Sequence, residues 1–248
     1  MPNYCIIGGG RLARHFSHYF RLLGIPHTQW QRTPTDNPCA DKTLLKQVIA
    51  NASHILLLIS DQAITEFVAE NGFLADKILI HCSGANSYPS IAGVHPLMTF
   101  GEELYDLATY EAIPMVCEAS SRVDFQFPQL FPQLKNPVHI IPPEQKALYH
   151  AYCVCAGNFS QLLWQMSADG MQSRLGLPVE VLEPYLQKSL ENFFSQGPTA
   201  LTGPLARGDQ KTIDANLAAL KNQPLAAIYK QFSKTFLPAA DLSTSGEH

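Results

Sequence analysis

Along roughly the first 140 residues, short apolar runs alternate with segments whose apolar positions repeat at the helical period. This alternation is typical of β-α-β units built around a parallel sheet. The apolar run within 54–60 favours a strand buried on both faces. The stripe that begins at Leu12 predicts an amphipathic helix that ends at Gly24. Strands are predicted at residues 3–7, 25–31, 54–60, 77–81, near 94, at 113–117 and at 138–141, and further helices at 42–50 and 61–70.

The pattern changes at Pro142 and Pro143, after which only helical periodicity remains. A proline disfavours helix in the residue before it and suits the first turn of a helix, so this pair marks a boundary. Helices are predicted at 144–174, 179–194, 209–220 and 225–236. The predicted fold class is a mostly parallel, doubly wound α/β domain at 1–142, followed by an all-α domain at 143–237 and a loose tail at 238–248.

Composition excludes several classes of protein. Apolar residues make up 46% of the chain and charged residues 15%, which excludes a disordered or coiled-coil chain. The 17 Lys and Arg residues nearly balance the 21 Asp and Glu residues and form no basic block, which argues against a nucleic-acid partner. No apolar run approaches the roughly 18 residues of a membrane span, and the N-terminus lacks the features of a signal peptide. No membrane association is therefore expected.

The six cysteines are scattered, mostly within apolar stretches, and form no Cys-x-x-Cys pair. Cys153 and Cys155 lie too close together along a helix to form half of a zinc site. The prediction is a cytoplasmic protein with buried, reduced thiols and no metal site.

A glycine motif follows the first strand and opens the first helix. Residues 6–13 read IIGGGRLA, a Gly-x-Gly-x-x-Ala pattern in the strand-turn-helix position that dinucleotide binding requires. In this pattern Gly8 permits the tight turn, Gly10 lets the backbone approach a pyrophosphate, and Ala13 allows close packing of the helix. The N-terminus of the helix offers free N–H groups to the phosphates. The predicted cofactor-binding residues are Gly8, Gly9, Gly10, Arg11 and Leu12. The alternative is a glycine-rich turn without a ligand.

The end of the second strand indicates which dinucleotide binds. An NAD site places a carboxylate there, about 20 residues beyond the glycines, to bond the ribose hydroxyls. This chain has Arg32 and Thr33 instead, and its next carboxylate is Asp36. Because an arginine suits a 2′-phosphate through its charge and its paired N–H groups, NADP is favoured over NAD. A solvated surface role is the alternative for Arg32.

Two further turns are expected at the same edge of the sheet, where open α/β folds bind ligands. Ser60 and Asp61 end one strand, and Ser83 and Gly84 end the next. All four are predicted to line the cofactor, with Ser83 and Gly84 beside the nicotinamide ribose. The alternatives are a helix N-cap for Asp61 and a simple turn for Ser83 and Gly84.

Five segments together resemble a known family. They are GGGRL at 8–12, ISDQAI at 59–64, HCSGA at 81–85, HPLMTF at 95–100 and ALTGPLARGD at 200–209, of which the last is the most specific. Over residues 3–236 the chain resembles NADP oxidoreductases without an established reaction, in which a Rossmann-like domain precedes a helical C-terminal domain of unknown function. More distantly it is similar to pyrroline-5-carboxylate reductase, the β-hydroxyacid dehydrogenases, prephenate dehydrogenase and reductases that use coenzyme F420.

The resemblance implies a Rossmann fold, dinucleotide binding, and a homodimer formed through the helical domain, which in the relatives closes over the nicotinamide. It implies no substrate, and it leaves coenzyme F420 open as a hydride partner. Asn158 matches a polar catalytic or substrate-binding residue of several relatives. The alternative for Asn158 is a hydrogen bond across a helix interface. The β-hydroxyacid dehydrogenases carry a lysine one turn earlier, where this chain has Val154, which argues against their mechanism here.

Three other residues are candidates for the chemistry. His95 carries an imidazole that can donate a proton near neutral pH, and a structural bond to its own turn is the alternative. In a loop that resembles the substrate loop of pyrroline-5-carboxylate reductase, Thr202 is a candidate to bond a substrate oxygen and Arg207 to clamp a carboxylate or phosphate. The alternative for that loop is a helix–helix turn in which Asp209 caps the next helix. His150 is expected to be structural.

Hydride transfer needs a positioned nicotinamide, a proton donor or acceptor, and groups that hold the substrate. The first hypothesis is therefore an NADP-dependent oxidoreductase that transfers a hydride to or from a small carbonyl or imine compound. The second is a non-catalytic, dimeric NADP(H)-binding sensor, because no acid–base pair stands beside Asn158. The third is a protein-interaction dimer with an empty pocket.

Overall fold

The computed structural model describes residues 1–32 and 38–236. Thr33 and the predicted tail at 238–248 lie outside the described residues. The chain divides into two compact units, a first unit at 1–157 and a second unit from residue 158 onward.

A sheet forms the centre of the first unit. Within the described residues its seven strands are β1 (Tyr4–Ile7), β2 (His27–Trp30), β3 (His54–Leu57), β4 (Ile78–His81), β5 (Ala92–Pro96), β6 (Met115–Glu118) and β7 (Val138–Ile141). They lie in the order β2-β1-β3-β4-β5-β6-β7, and neighbours are parallel except β5 and β6, which are antiparallel. The prediction of a mostly parallel, doubly wound sheet is confirmed.

The strand order reverses between β1 and β3, because β2 lies on one side of β1 and all later strands lie on the other. In open α/β sheets a ligand binds beyond the carboxyl ends of the strands at this reversal. Both β1 and β3 are buried along their whole length, and alternate residues of β1 belong to two separate core clusters. The sheet is thus covered on both faces, and the turns after β1 and β3 meet at one crevice.

Helices flank the sheet and make up most of the second unit. In the described part of the chain those of the first unit are α1 (Arg11–Leu22), α2 (Pro38–Ile49), α3 (Asp61–Glu70), α4 (Leu107–Ala112), α5 (Phe127–Leu130) and α6 (Lys146–Cys153). Those of the second are α7 (Ser160–Leu175), α8 (Glu183–Gln196), α9 (Pro204–Arg207), α10 (Gln210–Ala219) and α11 (Pro224–Phe236). As predicted, α1 ends before Gly24, which has a φ of +65°. The sequence does not predict α4 or α5, because each is too short to show a helical period.

The predicted helix at 144–174 is interrupted. A 3₁₀ turn, Pro143–Gln145, precedes α6, and a π-helical turn, Val154–Phe159, separates α6 from α7. Apolar spacing does not reveal such a turn, because it adds a single residue to one turn of the helix. Single π-helical turns occur frequently at functional sites, which draws attention to Asn158 inside this one.

The first unit extends to Gly157, beyond the predicted boundary at residue 142. The reason is α6, whose first residue, Lys146, is buried and bonds Asn86 and Glu118 of the first unit. A lysine near the start of a helix is usually solvated, so the sequence does not indicate this attachment.

No helix among the described residues is both long and apolar enough to cross a membrane. The thiols of Cys5, Cys82 and Cys117 are buried and free of disulfides.

Candidate functional site

The turn after β1 needs its first glycine for steric reasons. Gly8 has a φ of +136°, a conformation that residues with a side chain rarely adopt. A Cβ at Gly8 would lie 2.2 Å from the carbonyl oxygen of Leu58, the residue that follows β3. Gly10 is different, because a Cβ there would meet no atom within 4 Å and its φ is −72°. The fold therefore requires a glycine at residue 8, whereas the absence of a side chain at Gly10 leaves space for a ligand.

The N-terminus of α1 carries the features of an anion site. Gly10 is the N-cap, so no side chain bonds the first N–H groups, and the first turn holds no acidic residue. The guanidinium of Arg11 is paired with the carboxylate of Glu102 at 2.6 Å, so its charge is not free for a phosphate. Leu12 packs against the core. At both residues the backbone N–H is the group available to a phosphate.

A cleft of about 440 Å³ lies between the glycine turn and α3. Gly8, Gly9, Gln31 and Arg32 line one side of it, and the carboxyl-bearing Glu66 and Glu70 line the other. Gln31 folds back over the turn, since a Cβ at Gly9 would lie 1.8 Å from its Oε1. The exposed Arg32 is thus at the cleft, and Gln31 is a lining residue that the sequence does not single out.

The turns after β3 and β4 are joined by a hydrogen bond between their side chains. Ser60 is the N-cap of α3, and Asp61 is its first residue, so the N-cap alternative for Asp61 is wrong. The carboxylate of Asp61 instead accepts a hydrogen bond of 2.5 Å from Ser83 Oγ. The Oγ of Ser83 in turn accepts from the backbone N–H of Asn86 at 2.9 Å. Buried Ser83 and half-buried Asp61 thus tie the ends of β3 and β4 together.

Two imidazoles lie against Gly84, and a phenol is hydrogen-bonded to one of them. A Cβ at Gly84 would lie 2.5 Å from Cδ2 of His150 and 3.0 Å from Nε2 of His95. The Nδ1 of His95 lies 2.7 Å from the hydroxyl of Tyr149. His95 projects from β5, and Tyr149 and His150 project from α6. We refer to Gly84, His95, Tyr149 and His150 as the imidazole–phenol cluster.

Burial controls the protonation of this cluster. Burial, together with smaller contributions from the nearby His150 and Lys146, lowers the pKa of His95 to about 4. His95 is therefore neutral near pH 7. Burial also raises the pKa of Tyr149, and Cys153 adds to that rise, so the phenol keeps its proton.

A buried charge cluster lies beside it, formed by His81, Glu118 and Lys146. Lys146 is 2% exposed, and its ammonium donates to Glu118 Oε1 and, at 2.6 Å, to the carbonyl of Asn86. The Nε2 of His81 lies 3.2 Å from the same carboxylate oxygen. Burial alone would raise the pKa of Glu118, but the contacts with His81, Lys146 and Ser87 lower it to about 2. The carboxylate is therefore ionised over the whole physiological range.

A glycine makes this cluster possible. Gly93 pairs with His81 across the sheet, and a Cβ on Gly93 would lie 1.9 Å from Oε1 of Glu118. Without a side chain at this point of β5, the carboxylate reaches across the strand towards the imidazole. Neither cluster is evident from the sequence, since their members are spread over four separated segments.

The remaining candidates belong to the second unit. Asn158, Thr202 and Arg207 are all exposed, and no hydrogen bond joins them to one another in the described part of the chain. Asp209 accepts from the backbone N–H of Thr212 at 3.1 Å, so its predicted role as the N-cap of α10 is confirmed.

The sequence comparison covers half of the chain. Residues 113–236 match the sequence profile of DUF2520, a domain of unknown function. The protein belongs to the DUF2520 family. The matched segment includes Glu118, Lys146, Tyr149 and every described residue of the second unit up to Phe236. No curated protein matches the sequence of this DUF2520 protein.

Several solved structures share the fold of the DUF2520 protein. A "putative NADP oxidoreductase" from Bacteroides fragilis has 22% identity and a TM-score of 0.74, over 95% of this chain and 97% of that one. A protein from Thermotoga maritima has 22% identity and a TM-score of 0.67, over 94% and 96%. An imine reductase from Streptomyces aurantiacus has 11% identity and a TM-score of 0.63, over 96% of both chains. At these identities the likeness shows the Rossmann-like fold followed by helices.

Proposed function

We propose that the protein is an NADP-dependent oxidoreductase that transfers a hydride to or from a small carbonyl or imine compound. The observation that carries this proposal is the uncapped N-terminus of α1, which faces open space at Gly10 beside the cleft lined by Arg32. Backbone N–H groups and a partial positive charge at a helix N-terminus bind a pyrophosphate. The names of two structures with the same fold, an NADP oxidoreductase and an imine reductase, support the reaction class.

The residues present fit the dinucleotide. The N–H groups of Arg11 and Leu12 would hold the pyrophosphate, and Arg32 the 2′-phosphate. In this assignment Ser60, Asp61, Ser83 and Gly84 lie along the nicotinamide half, at the carboxyl ends of β3 and β4. When bound, NADP(H) supplies or accepts the hydride. Coenzyme F420 becomes the candidate hydride partner of NADP(H) only if the protein reduces no small carbonyl or imine compound.

Each unit carries candidate substrate-binding residues. From the first unit, His95 presents a neutral imidazole at the sheet edge. From the second unit, Asn158 and Thr202 offer neutral hydrogen-bonding groups, and Arg207 a cation that matches a carboxylate. The buried, free thiols agree with a reducing compartment, and we place the enzyme in the cytoplasm.

We expect NADPH to raise the melting temperature of the protein more than NADH at equal concentration. A ligand present at 100 times its Kd stabilises the native state by about 2.7 kcal/mol, which a thermal melt resolves. In the Arg32→Ala variant we expect the NADPH shift to fall to that of NADH, because a hydrogen bond between charged groups contributes about 1.5–3 kcal/mol.

Arg21→Ala provides the matched control, since Arg21 is an exposed arginine in the last turn of α1, away from the cleft. The control should retain the full preference for NADPH. Equal shifts with both nucleotides in the unmodified protein would contradict the assignment of NADP. Steady oxidation of NADPH with a keto acid, an aldehyde or a cyclic imine would exclude the non-catalytic sensor.

We also propose that the protein is a homodimer formed through its helical second unit. Few large apolar side chains of this unit are buried; those that are include Leu182 and Ile213. Many others are exposed, among them Phe194 at 82% and Tyr185 at 68%. An apolar surface of this extent usually marks an interface. A second copy of the chain is the partner that the family resemblance favours.

Sedimentation velocity at micromolar concentration tests the dimer. We expect the unmodified protein to sediment as a dimer and the Phe194→Glu variant of α8 to sediment as a monomer, because a carboxylate cannot be buried in an apolar interface without a partner. Val123→Glu places the same charge at an exposed apolar residue of the first unit and should leave the dimer intact. A monomer in the unmodified protein would exclude the proposal.

A further inference from the structure

His95 and Tyr149 share a hydrogen bond at the edge of the sheet where ligands of this fold bind. The Nδ1 of His95 lies 2.7 Å from the Tyr149 hydroxyl, and both side chains are half-buried. We propose that Tyr149 is the catalytic residue that gives its proton to the reacting oxygen or nitrogen of the substrate, and that His95 then returns a proton to Tyr149. This inference rests on the oxidoreductase function proposed above.

The spacing of residues on β5 and α6 brings the pair together. Residues two apart in a strand share a face, so His95 projects from the same side as the backbone position of Gly93. Residues three apart on a helix are neighbours, so Lys146 and Tyr149 lie on one side of α6. Lys146 contacts Glu118 beside Gly93, and Tyr149 contacts His95. The two contacts, Lys146 with Glu118 and Tyr149 with His95, therefore place α6 along β5.

The buried charge cluster fixes the position of the phenol. Removing an ammonium and a carboxylate from water is costly, so the Lys146–Glu118 pair is stable only in a geometry where each group is bonded. Both groups have further hydrogen bonds here, because Lys146 also donates to the carbonyl of Asn86 and Glu118 also accepts from Ser87. This contact holds the first turn of α6 and so sets where the hydroxyl of Tyr149 lies.

The protonation states suit a donor rather than a base. The phenol of Tyr149 keeps its proton, and the neutral imidazole of His95 offers one N–H and one free lone pair. His150 and Lys146 face His95 from α6, His81 from β4 and Asp61 from α3. A proton can therefore pass through His95 without an imidazolium ion in this buried site.

The proposed step balances for reduction of a C=O or C=N bond. Bound NADPH would supply a hydride, with its two electrons, to the carbon, and the π electron pair would move to the oxygen or nitrogen. That atom takes the proton of the Tyr149 hydroxyl. The tyrosine oxygen takes the Nδ1 proton of His95, and Nε2 of His95 takes a proton from solvent. The net uptake is one hydride and one proton.

Tyr149→Phe tests the assignment, because it removes one oxygen and retains the ring. With NADPH and pyruvate, propanal or 1-pyrroline as probes, we expect kcat of the variant to fall at least about 100-fold, as for loss of a general acid. The melting shift with NADPH should not change. Tyr152→Phe makes the same change one turn later, at a side chain that is 66% exposed, and should leave kcat unchanged.

A spectroscopic measurement tests the pair without turnover. In protein labelled with ¹⁵N-histidine, Tyr149→Phe should move the nitrogen resonances of His95, and Tyr152→Phe should not. A kcat for Tyr149→Phe within fivefold of the unmodified protein, or unmoved His95 resonances, would overturn the inference and leave the oxidoreductase proposal standing. If the unmodified protein reduces none of the probes, both fail.

Discussion

Lys146→Met is expected to destabilise the first unit by about 3–5 kcal/mol, the range found when one partner of a buried ion pair is removed. The substitution leaves the Glu118 carboxylate buried beside His81, with Ser87 as its remaining hydrogen-bond donor. Urea unfolding followed by circular dichroism measures the loss as a lower midpoint.

Two further variants serve as controls for this result. In Lys146→Met/Glu118→Leu both charges are gone, and we expect most of the stability to return, because an apolar pair in place of a buried ion pair is often neutral. Lys135→Met makes the same substitution at an exposed lysine and should change the stability by less than about 0.5 kcal/mol. Equal losses in the single and double variants would show that the carboxylate is not held by the lysine.

Gly8→Ala and Gly10→Ala are expected to act on different properties. At Gly8 the new Cβ meets the Leu58 carbonyl at 2.2 Å and the backbone has a φ of +136°. Strain and overpacking together are expected to cost at least about 2 kcal/mol of stability. At Gly10 the Cβ meets no atom within 4 Å, so the stability of the ligand-free protein should be unchanged or slightly higher.

The two variants should also differ in ligand binding. A methyl group at Gly10 stands where a pyrophosphate approaches the backbone, so Gly10→Ala should weaken NADPH binding at least about tenfold, or ~1.4 kcal/mol. Thermal melts with and without NADPH give both quantities. Unchanged NADPH binding in Gly10→Ala would show that the glycine turn does not contact the cofactor and has a structural role alone.

The local parts of the fold were predictable, because local sequence determines them. The glycine turn, α1 and its end at Gly24, and the cap at Asp209 each follow from residues within one or two turns of each other. The central strands β1 and β3 were predictable for a related reason, since strands buried on both faces need continuous apolar runs.

The contacts of the site were not predictable, because they join distant segments. Nothing near Lys146 indicates that its ammonium reaches Glu118, and nothing near His95 points to Tyr149. Such contacts depend on the antiparallel pairing of β5 with β6 and on how α6 packs along the sheet. The low pKa of His95 was not predictable for the same reason, since it follows from burial by these elements rather than from the neighbours of His95 in sequence.

Gly93 restricts which residues are tolerated at positions 93, 118 and 146. A side chain at residue 93 would need the space that the Glu118 carboxylate occupies, and loss of that carboxylate would leave Lys146 with a buried, unbalanced charge. Each single replacement is therefore deleterious, whereas a joint replacement is tolerable. Lys146 and Glu118 can therefore be replaced together, whereas a side chain at residue 93 becomes tolerable only after both have been replaced, so we expect the ion pair to restrict residue 93 to glycine.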